Sequence, residues 1–307
     1  MLTKHSRGFV TIATGKDSYY QMAHNLLLSY RLYSEHQEPF AILCDRQNAY
    51  TKDFDVVIVL DRPYFSYLDK LQLYAKSPFE ESIFVDADAL FLRDPALLWS
   101  DFSEQDDFSC YGKALPLTSK KGWFYYEEMG ELKAQLQFGV QMHGGLYYFR
   151  KTQRCREVFE LANHFAEHYS KYRFAHFEKP ADEPVLATAM AIHGCKPCAE
   201  EGRVLFLPSY GNKLKVKQTG EICIGKEPSD GIVLHIATSN TGRFVYQYLL
   251  KLIQANGKAL DKAEYWKLRF QCLYDDIKIP FIRRIKRTVK YALPLRLRKK
   301  VMMLLKR

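Results

Sequence analysis

The chain has 307 residues, 47% of them apolar, which is enough for one large α/β domain or two small ones with a substantial core. Its formal charge of +10 is unevenly placed: twelve of the 45 Lys and Arg follow Asp276, so 33 bases face 35 acids in the rest. A near-neutral body with a basic tail argues against a nucleic-acid groove, which spreads its cations along one face, and no run approaches the roughly 18 apolar residues of a membrane span.

In chain order, Phe9 to Ala13 reads as a strand, and Thr14-Gly15-Lys16-Asp17-Ser18 as a turn. A helical pattern with Met22, Leu26, Leu27 and Tyr30 follows. Phe40 to Cys44, ending at Asp45, and Val56 to Leu60 are further strands. Short strands alternating with helices predict a mostly parallel sheet covered on both faces. Ligands of such sheets bind beyond the carboxyl ends of strands, so Thr14, Gly15, Asp45 and Asp86 are expected along one rim. Tyr67 to Ala75 has helical spacing, with Leu68, Leu71 and Ala75 on the apolar face and Lys70 off it.

The next stretch, Ser82 to Pro95, is an apolar run interrupted by Asp86 and Asp88. Burying unpaired carboxylates is costly, yet at i, i+2 in an extended chain both project to one face and can close on one cation. The alternative is a strand end with both acids solvated in a turn. Asp94-Pro95 then starts a helix. Gln105 to Gly139 is aromatic and polar, without a regular period, and reads as a loop-rich excursion that either covers a substrate or simply lies on the surface.

Gly144-Gly145 enters a strand, either for a tight turn or bulge or to let a ligand approach the backbone. Val158 to Tyr169 is helical, and Ala181-Asp182-Glu183-Pro184 opens another helix through Ile192, with Asp182 in capping position. Cys195 and Cys198, with His193, hint at zinc but lack a second cysteine pair. Val204 to Leu207 and Ile232 to Ile236 are late strands. The second carries His235, which by itself reads as a core histidine. Phe244 to Tyr274 is helical in pattern. Residues 277 to 307 alternate apolar and basic side chains, as in amphipathic helices lying on an anionic leaflet; a solvated or packed helix is the alternative. Seven cysteines, an odd number, and a polar opening from Met1 to Gly8 lead us to expect free thiols and a cytoplasmic setting. The 21 Tyr and 20 Phe suit surfaces that stack on sugars or bases, or a large core.

Lys70-Leu71, a hydrophobic strand, and then Val85-Asp86-Ala87-Asp88-Ala89-Leu90 closely resemble glycosyltransferase family 8, the group of glycogenin and the bacterial lipopolysaccharide sugar transferases. Val10 to Thr14, followed by a Tyr-bearing helix start, resembles it too. The resemblance runs from about Phe9 to about Gly242 and implies a GT-A fold over residues 1–276, a nucleotide-sugar donor, usually UDP-linked, and Mn²⁺ or Mg²⁺. It further implies that Asp86 touches ribose or metal, that Asp88 and His235 bind the metal, and that Lys70 lies near the donor. Thr14, Gly15 and Tyr19 would lie near the nucleotide, Gly144 and Gly145 beside the donor sugar, and Asp182 and Glu183 near sugar and acceptor.

The chain departs from the family pattern in three places. His143 stands where the family often has Asn, Asp182-Glu183 where it often has Asp-Gln, and Arg243 is the candidate replacement for its diphosphate-gripping Lys. The expected activity is sugar transfer to a glycan or lipid-linked acceptor at a membrane surface, with no nucleic-acid partner. Asp182 and Glu183 are the candidate nucleophiles if the route needs one. The alternatives are a nucleotidyltransferase on a similar sheet, or a non-catalytic membrane- or nucleic-acid-binding protein acting through the tail.

Overall fold

The computed structural model describes residues 6–102, 107–119, 129–172, 174, 179–199 and 202–273. The basic tail therefore lies outside the described residues, as do parts of the segment from Gln105 to Gly139. Two compact units divide the chain, one formed by residues up to Leu205 together with Asp230–His235, the other by Phe206–Ser229 and the residues from Ile236 onward.

The first unit is built on β1 (Arg7–Ala13), α1 (Asp17–Tyr33), β2 (Phe40–Cys44), β3 (Val56–Val59), the short helix α2 (Leu73–Lys76), β4 (Glu81–Val85), β5 (Ala89–Phe91) and α3 (Leu97–Phe102). It continues through β6 (Phe108–Leu115), β7 (Gly139–Arg150), α4 (Gln153–Glu167), α5 (Asp182–Ile192), β8 (Cys198–Ala199) and β9 (Val204–Phe206). The second unit carries α6 (Leu207–Tyr210), β10 (Leu214–Val216), β11 (Ile222–Ile224) and β12 (Glu227–Pro228). The chain then returns to the first unit as β13 (Val233–His235) and goes back to the second as α7 (Phe244–Gln254), followed by a helix over residues 262–273.

Seven strands form the main sheet in the order β3-β2-β1-β4-β7-β6-β8, parallel from β3 to β4 and antiparallel across β4-β7-β6. The two-residue period of each strand feeds two cores. Val10, Leu43, Phe84 and Tyr147 point to the face covered by α4 and α5, while Phe9, Ile42, Ile83 and Tyr148 point to the face of α1 and α3. The aromatic surplus is spent largely here: Phe9 packs on Tyr30 at 5.1 Å, and Phe102 stacks on Tyr148 at 5.6 Å. A second sheet of three strands, β5-β13-β9, lies alongside, and the second unit has its own small sheet, β10-β11-β12.

Four expectations are corrected. Phe108–Leu115 is a strand and not part of a loop; its register shift between Cys110 and Gly112 breaks the alternation that would have marked it. Tyr67–Gln72 is a 3₁₀ turn preceding α2, so Ala75 is exposed while Lys70 is buried. Three residues per turn, in place of 3.6, rotate Lys70 inward. The glycine pair lies inside β7 and not at its start. The pattern expected from Phe244 to Tyr274 is, over the described residues up to 273, two helices broken at residues 255–261. All seven cysteines are free, and no described helix is long and apolar enough to cross a membrane.

Candidate functional site

Strand β4 explains the site. Ile83, Phe84 and Val85 are fully buried between β1 and β7, and the chain leaves the sheet immediately after Val85. Asp86 to Asp88 forms a turn closed by the Ala89 N–H donating to the Asp86 carbonyl at 3.0 Å, so the pair is not extended as the spacing suggested. Nor are the two acids solvated: their side chains are 16% and 15% exposed. Antiparallel pairing of β13 with β5 places His235 opposite Ala89. That register brings His235 Nε2 to 3.1 Å from Asp88 Oδ1 and 3.7 Å from Asp86 Oδ2. The three ligand atoms lie within 4.8 Å of one another. Two hard carboxylates and one imidazole are a donor set for Mn²⁺ or Mg²⁺, and their convergence fits such an ion. Among the described residues no cysteine group of this kind forms around Cys195 and Cys198.

Behind this cluster lies a buried ion-pair chain. Lys70 Nζ is 2.9 Å from Asp86 Oδ1 and 2.9 Å from Asp182 Oδ2, donates to the Gly144 carbonyl at 3.2 Å, and sits over the Phe84 ring. Burial alone would lower the Lys70 pKa, but Asp182 and Asp86 hold it well above its ordinary value. Burial pushes Asp86 upward, and the neighbouring Asp88 adds to this. His235 is pulled down by burial and, more strongly, up by its contacts with Asp88 and Asp86. His143 Nε2 is 3.3 Å from His235 Nδ1, and burial holds this second ring down to about 3, so it is neutral.

The two glycines of β7 provide room. A Cβ on Gly145 would meet His235 Nδ1 at 2.5 Å, and one on Gly144 would meet Glu183 Cγ at 2.3 Å. The close approach therefore comes from the protein's own side chains. Asp182 is not the helix cap: Ala181 is, and the Asp182 carboxylate turns to Lys70. Glu183 Oε1 accepts the Gly144 N–H at 2.9 Å. Burial, with the charge of Asp182, pushes Glu183 up to about 7.

A raised acid pKa costs stability as pH rises from the unfolded value near 4.5 through about 7, because the folded chain holds a proton that the unfolded chain releases. Glu183→Gln keeps an acceptor for Gly144 and removes this cost. It should therefore stabilise the protein by up to about 3 kcal/mol at pH 8 and by little at pH 4.5, as read by denaturant unfolding at the two pH values. Equal stability differences at both values would contradict the assignment.

Along the rim, Thr14 Oγ1 donates to Asp69 Oδ2 at 2.7 Å, and the Gly15 N–H, at φ +83°, donates to Asp45 Oδ1 at 2.7 Å. Tyr19 lies partly buried beside Lys16. Burial acts against ionisation of Asp45, but bonds from Tyr20, the Gly15 N–H and Arg46 hold its pKa below the ordinary value. Arg243 belongs to the second unit, where its Nη2 donates to the Gly211 carbonyl and to Asn212 Oδ1. Sequence reasoning missed Asp69, which anchors Thr14 and the Tyr64 N–H. Its signal was present: Ser66-x-x-Asp69 is a capping box, with both reciprocal bonds formed.

No family model matches the sequence, and no curated protein matches it. Among solved structures the chain is similar to the galactosyltransferase LgtC in complex with donor and acceptor sugar analogs, with a TM-score of 0.51 and 11% identity over 85% of this chain and 99% of that one. An active-site mutant of LgtC aligns with a TM-score of 0.49 and 12% identity over 85% of this chain and 94% of that one. At the identity of the first likeness it is the fold that is shown. The chain has the GT-A fold, a mostly parallel central sheet flanked by helices.

Proposed function

We propose that this protein is a metal-dependent glycosyltransferase that moves a sugar from a nucleotide-diphosphate donor, a UDP-sugar, to a glycan or lipid-linked acceptor in cell-surface polysaccharide synthesis, with its basic tail on the cytoplasmic face of a membrane. The observation that carries this reading is the convergence of Asp86, Asp88 and His235 just beyond β4 of a GT-A sheet. The chemistry supplied by a divalent cation at such a site is charge neutralisation on a departing diphosphate. This chain's own residues orient the cluster: Lys70 pins Asp86, and the Asp86 N–H donates to the Gly145 carbonyl at 2.9 Å. The structure of the galactosyltransferase LgtC with donor and acceptor sugar analogs supports a sugar-transfer reading of the same fold.

Both candidate nucleophiles are committed elsewhere, Asp182 to Lys70 and Glu183 to the Gly144 N–H with a raised pKa. A retaining transfer would then follow a route in which neither carboxylate acts as nucleophile. The test is a panel of nucleotide sugars with Mn²⁺ or Mg²⁺, read by thermal shift and slow donor hydrolysis. One UDP-sugar should raise the melting temperature by about 5 °C at saturation, and only with metal present. No shift and no hydrolysis with any donor under either metal would count against the proposal.

A further inference from the structure

Between β3 and α2 the chain presents three aromatic side chains to solvent: Tyr64, Phe65 and Tyr67 are 57%, 63% and 66% exposed. Leaving such rings in water forgoes their burial, and the backbone is held against its own preference to do so. Phe65 has φ +52°, a left-handed conformation that crowds the Cβ of an L-residue and that Gly or Asn adopts more readily. Asp69 fixes this shape. Its carboxylate, on a residue only 1% exposed, accepts the Tyr64 N–H at 2.6 Å and the Ser66 N–H at 3.4 Å. The Gln72 amide closes the turn from the other side, donating to Asp69 Oδ1 at 3.2 Å and to the Arg62 carbonyl at 3.3 Å. Strained backbone that its surroundings hold in place is found at ligand clamps more than in ordinary turns.

The position of the rings indicates what they meet. Asp69 Oδ2 also accepts the Thr14 hydroxyl at 2.7 Å, which ties the aromatic turn to the end of β1. A Cβ on Gly15 would stand 3.4 Å from Phe65 Cδ1, so that ring lies against the rim backbone. Tyr67 opens the 3₁₀ turn that carries Lys70, and three residues per turn set the two side chains one above the other. Partial burial raises the pKa of the Tyr67 phenol, and Lys70, Tyr19, Asp182 and Asp86 all act on it electrostatically. Because β1 pairs with β4, the rim at Gly15 is about one strand spacing, roughly 4.8 Å, from the rim at Asp86. On the opposite side, the space at Gly144 and Gly145 is taken by Glu183 and His235. A nucleotide whose diphosphate sits at Asp86, Asp88 and His235 is therefore directed to the β1 side, where Phe65 and Tyr67 offer a flat apolar surface. We infer that Phe65 and Tyr67 form an aromatic wall on which the base of the bound nucleotide diphosphate stacks. This rests on the sugar-transfer reading for the metal and the diphosphate, and adds two residues that were not among the candidates read from the sequence. Stacking accepts any π-face, so the wall supplies affinity for a base more than choice among bases.

The test compares UDP with inorganic pyrophosphate, each with Mn²⁺, by isothermal titration calorimetry on the full chain. Phe65→Asn suits the left-handed backbone but lacks the ring, whereas Phe65→Tyr keeps it. Phe65→Asn should bind UDP roughly 10- to 100-fold more weakly, the scale of one truncated base stack, and Phe65→Tyr should bind it as wild type does. Tyr67→Ala, at an exposed position, should show a loss on the same scale and carries the comparison if Phe65→Asn fails to fold. Pyrophosphate, which has no base, should bind all of these proteins alike. Unchanged UDP binding in either truncation, or a loss that pyrophosphate shares, would overturn the inference, since a shared loss reports a disturbed metal and diphosphate site. Wild type that binds pyrophosphate as tightly as UDP would overturn the inference and leave the sugar-transfer reading standing. Wild type that binds neither ligand would count against that reading itself, and the aromatic wall would fall with it.

Discussion

Lys70→Met is expected to destabilise the protein by about 3–5 kcal/mol, the cost of stripping the cation from a buried ion pair. Lys70 is 6% exposed and stands between Asp86 and Asp182, each 2.9 Å away. Methionine fills most of the same volume, so the loss reads charge and not cavity. What remains is two carboxylates facing a hydrophobic strand and the Phe84 ring. Because both partners respond to one cation, Asp182→Asn combined with Lys70→Met should cost less than the sum of the two single changes, by about 0.5–3 kcal/mol in a double-mutant cycle. Additive costs would show that Lys70 and Asp182 do not act as a pair.

Asp88→Ala is expected to leave the fold intact and remove function. Asp88 lies in a turn outside the sheet, with its carboxylate 3.1 Å from His235 Nε2. Loss of one of three converging ligand atoms should lower metal-dependent donor turnover by about 10²–10³-fold, the scale of a removed electrostatic stabiliser of a developing charge. An unchanged melting temperature without metal, together with that loss, would separate the chemistry of this turn from its structural role.

How much of this was legible depends on range. Strand β4 was readable because its apolar residues are consecutive and fully buried, and β2 for the same reason; β1 and β3 were readable from consecutive β-branched residues, although β3 is only partly buried. The Asp86–Asp88 pair stood out as charge misplaced within such a run. The role of His235 was not readable from its surroundings, since it depends on the pairing of β13 with β5 across more than a hundred residues; only the family resemblance pointed to it. Lys70 was misplaced because its burial comes from a 3₁₀ turn whose pattern imitates an α-helix over a few residues. Glu183 and Gly144 illustrate a further limit. The glycine pair was legible as a place of close approach, but not that a carboxylate and an imidazole of the same chain are what approach.

The central claim is that Asp86, Asp88 and His235 hold a divalent cation for a nucleotide diphosphate. The most direct measurement is titration of the protein with Mn²⁺ followed by electron paramagnetic resonance of the free ion, with and without UDP, on wild type and Asp88→Ala. The expected result is one Mn²⁺ per wild-type chain, bound more tightly when UDP is present, and no such site in the variant. Equal Mn²⁺ binding by the two proteins, or binding that UDP does not change, would contradict the account.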